Sequence, residues 1–496
     1  MLSPSLTAAA RPPRNIVLLI VDSLRSASVR ASAGRLPFFD RLAAETTCFR
    51  RAYASECWTL PSHVSIFTGL SPSQHGAHFQ TMAYERPQPT LAEILSAAGY
   101  ATEMVTRNFV FDGTIAGVTR GFERQSRPLA GSSRANLAAL FLTLVKPGVR
   151  RHIRRTGFFH PRHGDTRAFV RRFARSLLPA DELALARVLD AMSAEQRAGR
   201  PYFVCANLYD VHAPYPPARD SLFGPWRSLR GAADNAMFPL RIAKLGQHAY
   251  LRDGFCASAS TERALRDRYE RAVELMDAKL AAFYAAALDR KLLDETLLII
   301  TSDHGEAFGE HGLYLHDASV YDTHLHVPLW VRHPALAPQL VDDVVSTKDL
   351  FDLILAAAGQ RPTTETIMNS EYRAARAIAL AEHFYYPHRA DIAARYKQNL
   401  LAVIIGDEKF VLRREGAIRY DRSRDPDELQ AEPVGADAVM TAIDRSGASS
   451  VGIGAALEHV RTWQRAQQQS TPAGSGSSSA QADLAGAGCA HAEAAR

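Results

Sequence analysis

Three stretches of this chain are unbroken apolar runs of strand length, and each stops on polar side chains. Residues 15–21 (NIVLLIV) end at Asp22. Residues 202–208 (YFVCANL) lead into Tyr209, Asp210, Val211 and His212, and residues 297–301 (LLIIT) end at Ser302, Asp303 and His304. Short β-branched runs without alternation read as parallel strands buried on both faces. Open parallel sheets bind their ligands beyond the carboxyl ends of the strands, so those terminal acids and imidazoles are the first candidates for a site. Between the runs the spacing turns helical. Residues 90–98 close at Gly99, residues 261–288 carry apolar positions at helical intervals, and residues 349–358 close at Gly359. This alternation over residues 15–360 predicts a doubly wound α/β domain.

The pattern changes near residue 376, where short runs at 401–405 and 409–413 read as hairpin strands. The expected organisation is an N-terminal tail (1–14), a catalytic α/β domain (15–375), a small C-terminal α+β subdomain (376–434) and a tail (435–496). Ala, Ser and Gly dominate that tail, which predicts disorder over most of it, above all in the low-complexity residues 470–496. Residues 119–175 form an arginine-rich insertion with Arg150, Arg151, Arg154 and Arg155. A solvated helical excursion is the favoured reading there, ahead of an anion-binding or membrane-facing surface.

Composition narrows the function. With 496 residues and 47% hydrophobic content the chain can bury a large core. Its 58 basic and 52 acidic residues are too balanced to mark nucleic acid as the partner. Only seven of the basic residues are lysine, and guanidinium groups suit bidentate contact with tetrahedral oxyanions. Cys48, Cys57, Cys205, Cys256 and Cys489 show no paired spacing, so buried reduced thiols are expected in place of a zinc module or disulfide framework. The first fourteen residues carry no signal-peptide pattern, and the run ending at Val21 is too short to span a membrane, which predicts a cytoplasmic protein.

Two motifs carry chemistry. Trp58-Thr59-Leu60-Pro61-Ser62-His63 opens a helix, and Thr59 there either caps it or presents its hydroxyl to an anion at the N-terminus. Asp303-His304-Gly305-Glu306 follows a buried strand. Asp303, His304 and Asp22, with the Thr59 oxygen, make a mixed oxygen and nitrogen set suited to one divalent cation. Manganese fits that set best, with magnesium, calcium and zinc as alternatives. Such a cation would acidify the Thr59 hydroxyl and offset the charge of an anionic substrate.

The segments NIVLLIVDSLR, WTLPSHVSIFTGLSPSQHG, YDVHAPYPP, TSDHGEAFGEHG and HDASVYDTHLHVPLWVR resemble, in order and spacing, the signatures of sulfatase-like enzymes of the alkaline phosphatase superfamily. The likeness extends through STKDLFDLILAAAG and YDRSRDPDEL, over about residues 15–430. It implies an alkaline phosphatase-like α/β fold with a central, mostly parallel sheet flanked by helices. It also implies Asp22, Thr59, Asp303 and His304 as metal ligands, Thr59 as nucleophile, and His212 and His316 as groups facing the substrate.

The departures from that pattern matter as much. Sulfatases place Cys or Ser at the first position of a pentad that ends in Arg, and convert it to formylglycine; here the pentad is Thr59-Leu60-Pro61-Ser62-His63. Oxidation of threonine gives a ketone, not an aldehyde. Cys57 does not restore the motif, because Pro61 is then four residues away. Ser23 replaces the second carboxylate of the leading acidic pair, and His304 stands where sulfatases often have asparagine. These features resemble the phosphoryl-transferring relatives, including phosphonate monoester hydrolases. The expectation is a hydrolase or transferase of phosphate or phosphonate esters with a covalent intermediate on Thr59. The alternatives are a sulfuric ester hydrolase that works without formylglycine, and a sulfatase-fold binding protein without turnover. The substrate would be a small-molecule, glycan or lipid ester, selected by loops near 110–165 and 213–260.

Overall fold

A computed structural model describes residues 14–31, 34–111, 117–128, 181–213, 215, 252, 254–316 and 318–469. The strands, in chain order, begin with β1 (Asn15–Val21), β2 (Thr47–Tyr53), β3 (Ala101–Thr106), β4 (Arg124–Ser126), β5 (Tyr202–Leu208) and β6 (Thr296–Thr301). A short hairpin, β7 (Ala307–Phe308) with β8 (Tyr314–Leu315), precedes β9 (His326–Arg332) and β10 (Gln339–Ser346). Eight of these form one mixed sheet in the order β10-β2-β9-β6-β1-β5-β3-β4. β1 runs parallel to both its neighbours, β5 and β6, and only β9 is antiparallel to the strands beside it.

The unbroken apolar sequence of β1 has a direct cause: both its faces are covered. Ile16, Leu18 and Ile20 point into one layer, with the helices Thr59–Thr68, Leu91–Ala97 and Leu350–Ala357. Val17, Leu19 and Val21 point into the other, against Pro37–Glu45, Asp181–Ala198 and Ala259–Asp289. All six are fully buried, and truncating any of them to alanine would cost about 2–5 kcal/mol. β1 lies between β5 and β6, and Asp22 and Asp303 follow the carboxyl ends of β1 and β6, the end of an open parallel sheet where ligands bind.

A second, antiparallel sheet follows: β11 (Ile378–His383), β12 (Leu400–Ile405), β13 (Glu408–Arg413), β14 (Gly416–Asp421) and β15 (Glu432–Val434). One face, with Ala402, Ile404 and Val411, packs on Tyr53, Leu325 and Val344 of the large domain. The other, with Leu401, Val403, Phe410 and Leu412, is covered by the helices Ala436–Asp444 and Ser450–Gln469 through Val439, Ile443, Val460 and Trp463. This corrects the expectation of a disordered tail from residue 435. Ala-rich composition looks featureless, yet alanine favours helix, and Val439/Ile443 and Ala456/Val460/Trp463 sit three or four residues apart on buried faces. Residues 470–496 lie outside the described residues, as do 1–13. Of the arginine-rich insertion, only 119–128 are described; they include β4, and Arg124 there pairs with Glu103 and Glu195.

Cys48, Cys57 and Cys205 are in no disulfide, but Cys256 is disulfide-bonded, against the expectation that none is paired. Among the described residues no helix is long and apolar enough to cross a membrane.

Candidate active site

Asp22 follows directly on β1, where its N–H donates to Leu208 O at 2.8 Å. The next residue, Ser23, adopts φ +66°, a left-handed turn that bends the chain across the end of β6. Ser23 N–H thereby donates to Asp303 Oδ1 at 3.2 Å, while its hydroxyl donates to Asp22 Oδ1 at 3.3 Å. The second Asp22 oxygen accepts from two amides, Asn108 Nδ2 at 3.0 Å and Asn207 Nδ2 at 3.1 Å. Thr106 fixes the Asn207 amide by donating to its Oδ1 at 3.1 Å.

Asp303 ends β6 and is fully buried. Its Oδ1 accepts from two backbone N–H groups, Ser23 and His304, whereas Oδ2 has no hydrogen-bond partner among the described residues. That oxygen lies 3.5 Å from both His304 Nε2 and His63 Nδ1. The His304 ring is pinned because Nδ1 donates to Gly305 O at 2.9 Å. Nε2 then carries the lone pair, 3.6 Å from Asp22 Oδ1 and 3.4 Å from the Thr59 hydroxyl. Gly305 is required at this point, since a Cβ there would lie 2.1 Å from Thr323 O.

Thr59 is the first residue of its helix, and the N-cap is Trp58, which makes no side-chain cap bond. The hydroxyl therefore faces the strand ends at the positive end of a helix dipole. Two further contacts lock this turn. Ser62 donates to Asp303 O at 2.6 Å, and His63 Nδ1 donates to Thr59 O at 2.9 Å. His63, which stands in the sulfatase arginine position, is thus a fully buried brace within the helix.

His212 and His316 reach the same place. The His316 ring centre lies 4.4 Å from that of His304 and 4.8 Å from that of His212. His212 stacks on Tyr209 and donates from Nδ1 to Ala213 O at 2.6 Å. His316 donates from Nδ1 to Glu306 Oε1 at 2.9 Å, and the other oxygen of Glu306 accepts from Tyr215 OH at 2.7 Å. In His212 the Nδ1 bond leaves Nε2 as the nitrogen that can exchange a proton.

The electrostatics follow from burial. Burial, reinforced by Asp303 nearby, raises Asp22 to about 6 despite His212, His304 and Asn207. Asp303 is raised to about 7 by burial, against its backbone N–H donors and the Thr59 hydroxyl. Burial raises Glu306 to about 7 and lowers His304 and His212 to about 4. Among the described residues no lysine or arginine forms an ion pair with Asp22 or Asp303; only imidazoles do. Two buried carboxylates, an unpartnered carboxylate oxygen, a neutral imidazole and a hydroxyl fit a divalent cation, and the ligand atoms of Asp22, Asp303 and His304 all lie within 4.8 Å of one another.

All six residues read from the sequence thus converge. Asp210, at the end of β5, turns away instead: it pairs with Arg107 and with Lys279 at 2.5 Å. Sequence reasoning missed Asn207, which looks like a flaw in an apolar strand, and Glu306, which was read only as part of a motif. It also missed the roles of His63 and Asn108. Most of the loops expected to select substrate, 110–165 and 213–260, lie outside the described residues.

Comparison with known proteins bears on the same region. The sulfatase family profile matches residues 14–360. A choline-sulfatase of Rhizobium meliloti (strain 1021) is 23% identical over 359 residues, covering 70% of this chain and 67% of that protein. The crystal structure of a phosphonate monoester hydrolase of Agrobacterium radiobacter superposes with a TM-score of 0.59 at 21% identity, covering 92% of this chain and 96% of that one. A protein solved in complex with its substrate D-glucosamine-2-N,6-O-disulfate superposes with a TM-score of 0.60 at 15% identity, covering 93% and 99%. At such identities the superpositions speak for the fold alone. The profile, spanning well over half the chain and all six candidate site residues, shows that this protein belongs to the sulfatase family of ester hydrolases.

Proposed function

We propose that this chain cleaves phosphate or phosphonate esters through nucleophilic attack by Thr59 and a covalent phospho-threonine intermediate. The observation that carries this reading is the Thr59 hydroxyl, uncommitted to helix capping and set 3.4 Å from His304 Nε2 beside the unpartnered Asp303 Oδ2. Asp22, Asp303, His304 and the Thr59 oxygen would hold one divalent cation, manganese fitting the set best. When bound, it supplies a lowered hydroxyl pKa and a positive charge facing the ester.

The rest is done by the chain's own groups. The Thr59 oxygen, its proton lost to solvent, bonds to phosphorus as the ester P–O bond breaks. The departing alkoxide takes a proton that Nε2 of His212 or His316, neutral at rest, has first drawn from solvent. Water, or an acceptor alcohol in a transferase, then attacks phosphorus with an imidazole taking its proton, and the P–Oγ bond breaks. Glu306 and Tyr215 hold the His316 ring, and the Ala213 carbonyl holds that of His212, which presents its Nε2.

A second reading, direct cleavage of sulfate esters, draws support from the name of the choline-sulfatase relative. Thr59 weighs against it, since no aldehyde can form there. A binding protein without turnover is disfavoured by the completeness of the set. The deciding experiment is an activity screen of metal-reconstituted protein on phosphate monoesters and diesters, phosphonates and sulfate esters. Turnover of phosphorus esters is expected to lead; sulfate-ester turnover alone would overturn the reading.

A further inference from the structure

Just ahead of Thr59, the turn between β2 and the helix carries a second group of buried donors that ester cleavage leaves unused. Glu56 Oε1 lies 3.0 Å from Nδ1 of His383 and 3.3 Å from Sγ of Cys57, and Sγ and Nδ1 are 3.7 Å apart. All three side chains are fully buried, and Cys57 is in no disulfide.

Hydrogen bonding alone serves this group badly. The imidazole, the thiol and Cys57 N–H all converge on Oε1. Oε2 of the same carboxylate, Nε2 of His383 and the neighbouring Ser55 hydroxyl have no hydrogen-bond partner among the described residues. Leaving a buried carboxylate oxygen unpaired is costly, and among the described residues the only basic group paired with Glu56 is His383.

A metal ion explains the same triangle. Tetrahedral zinc, with bonds of about 2.0–2.1 Å to nitrogen and oxygen and about 2.3 Å to sulfur, sets its ligand atoms roughly 3.3–3.6 Å apart. The observed edges of 3.0, 3.3 and 3.7 Å bracket that range. A carboxylate, a thiolate and a neutral imidazole carry two negative charges, which a dication cancels, and a neutral group suits full burial. Thiolate with imidazole selects zinc over magnesium, calcium or manganese. A water would fill the fourth place.

The position gives the site a purpose. Glu56 and Cys57 precede the nucleophile, whereas His383 ends β11, the first strand of the C-terminal sheet. The same two segments are already joined by Glu382 N–H donating to Ser55 O at 2.9 Å, and Glu382 also accepts from Ser73 N at 2.7 Å. We propose that Glu56, Cys57 and His383 form a structural zinc site, separate from the Asp22–Asp303–His304 centre, that clamps the C-terminal sheet to the segment presenting Thr59.

The test uses the full chain, purified without a metal-affinity tag, exposed to excess zinc and desalted. In Asp303→Asn protein, elemental analysis should find one zinc per chain, and zinc K-edge absorption should show one sulfur neighbour at about 2.3 Å. Cys57→Ser and His383→Gln should each lose that zinc and the sulfur signal, and their C-terminal sheet should exchange amide hydrogens faster than in wild type. Should these variants fold poorly, the wild-type absorption spectrum and the thiolate-to-metal band of cobalt-substituted protein decide alone. Zinc surrounded only by nitrogen and oxygen, or unchanged zinc content in folded Cys57→Ser, would overturn the proposal while leaving the role of Thr59 untouched.

Discussion

Thr59 and His304 stand 245 residues apart in the chain, yet the hydroxyl of one lies 3.4 Å from Nε2 of the other. A helix cap has no need of that neighbour. Thr59→Ala should therefore lower turnover by at least about three orders of magnitude. Thr59→Ser, which keeps a hydroxyl, should retain measurable activity. Rapid acid quench should trap phosphate on the Thr59 peptide of wild type only. If the residue is a cap, Thr59→Ala will cost about 1 kcal/mol of stability and little activity.

Asp303→Asn and His304→Ala should lose the cation of the Asp22–Asp303–His304 centre and turnover together while circular dichroism stays native, since both residues follow a strand end and neither packs inside the sheet. Chelation of wild type should have the same effect, reversed by adding metal back. Full turnover in protein shown by elemental analysis to be metal-free would remove the cation from the reaction.

Gly305→Ala offers a finer probe, because the added methyl would press on Thr323 O at 2.1 Å and displace the carbonyl that orients His304. A stability loss of about 1–3 kcal/mol is expected, accompanied by weaker metal binding measured by titration. Unchanged metal affinity in this variant would show that the Gly305 carbonyl does not set the ring.

Active protein should carry no formylglycine. Mass spectrometry of the peptide spanning residues 52–68 should return unmodified Thr59 and Cys57. An aldehyde-mass species at Cys57 that rises and falls with activity would transfer the nucleophile to that position.

Glu310 links stability to acid. Burial would raise its carboxyl, but Arg25 and Arg266 outweigh that and hold it at about 2, below the ordinary 4.5. A depressed carboxyl stabilises the fold above its unfolded pKa, and that contribution fades as pH falls from 4.5 towards 2. Urea midpoints of wild type should thus exceed those of Glu310→Gln near neutral pH, and the gap should narrow below about pH 4.5. A constant gap would mean that the charge of Glu310 contributes nothing.

What could be read in advance follows from how each element meets water. β1 and β5 match their apolar runs residue for residue, because a strand covered on both faces needs no polar positions. β2 (TCFRRAY) was not recognised: Arg50 and Arg51 interrupt it, and their partners, Asp342 and Asp407, are remote in sequence. The strand-end acids announced themselves, as did the Thr59 turn. Asn207 did not, since a single amide in an apolar run gives no hint that it donates to Asp22 across the sheet. The helices after residue 435 were hidden by composition, where sparse large side chains are diluted by alanine and glycine.

The left-handed turn at Ser23 has an arithmetic consequence for which esters the crevice can admit. With a hydroxyl in place of the second carboxylate of the sulfatase pair, the cage holds two formal negative charges from Asp22 and Asp303, and a dication would bring its sum to zero. A further carboxylate about 5 Å from the ester would oppose each negative charge on it by about 3 kcal/mol at an effective dielectric of about 20. That penalty doubles for a dianion relative to a monoanion. On the proposed function, serine at position 23 would favour doubly charged esters, the form a phosphate monoester takes at neutral pH and a sulfate ester never does.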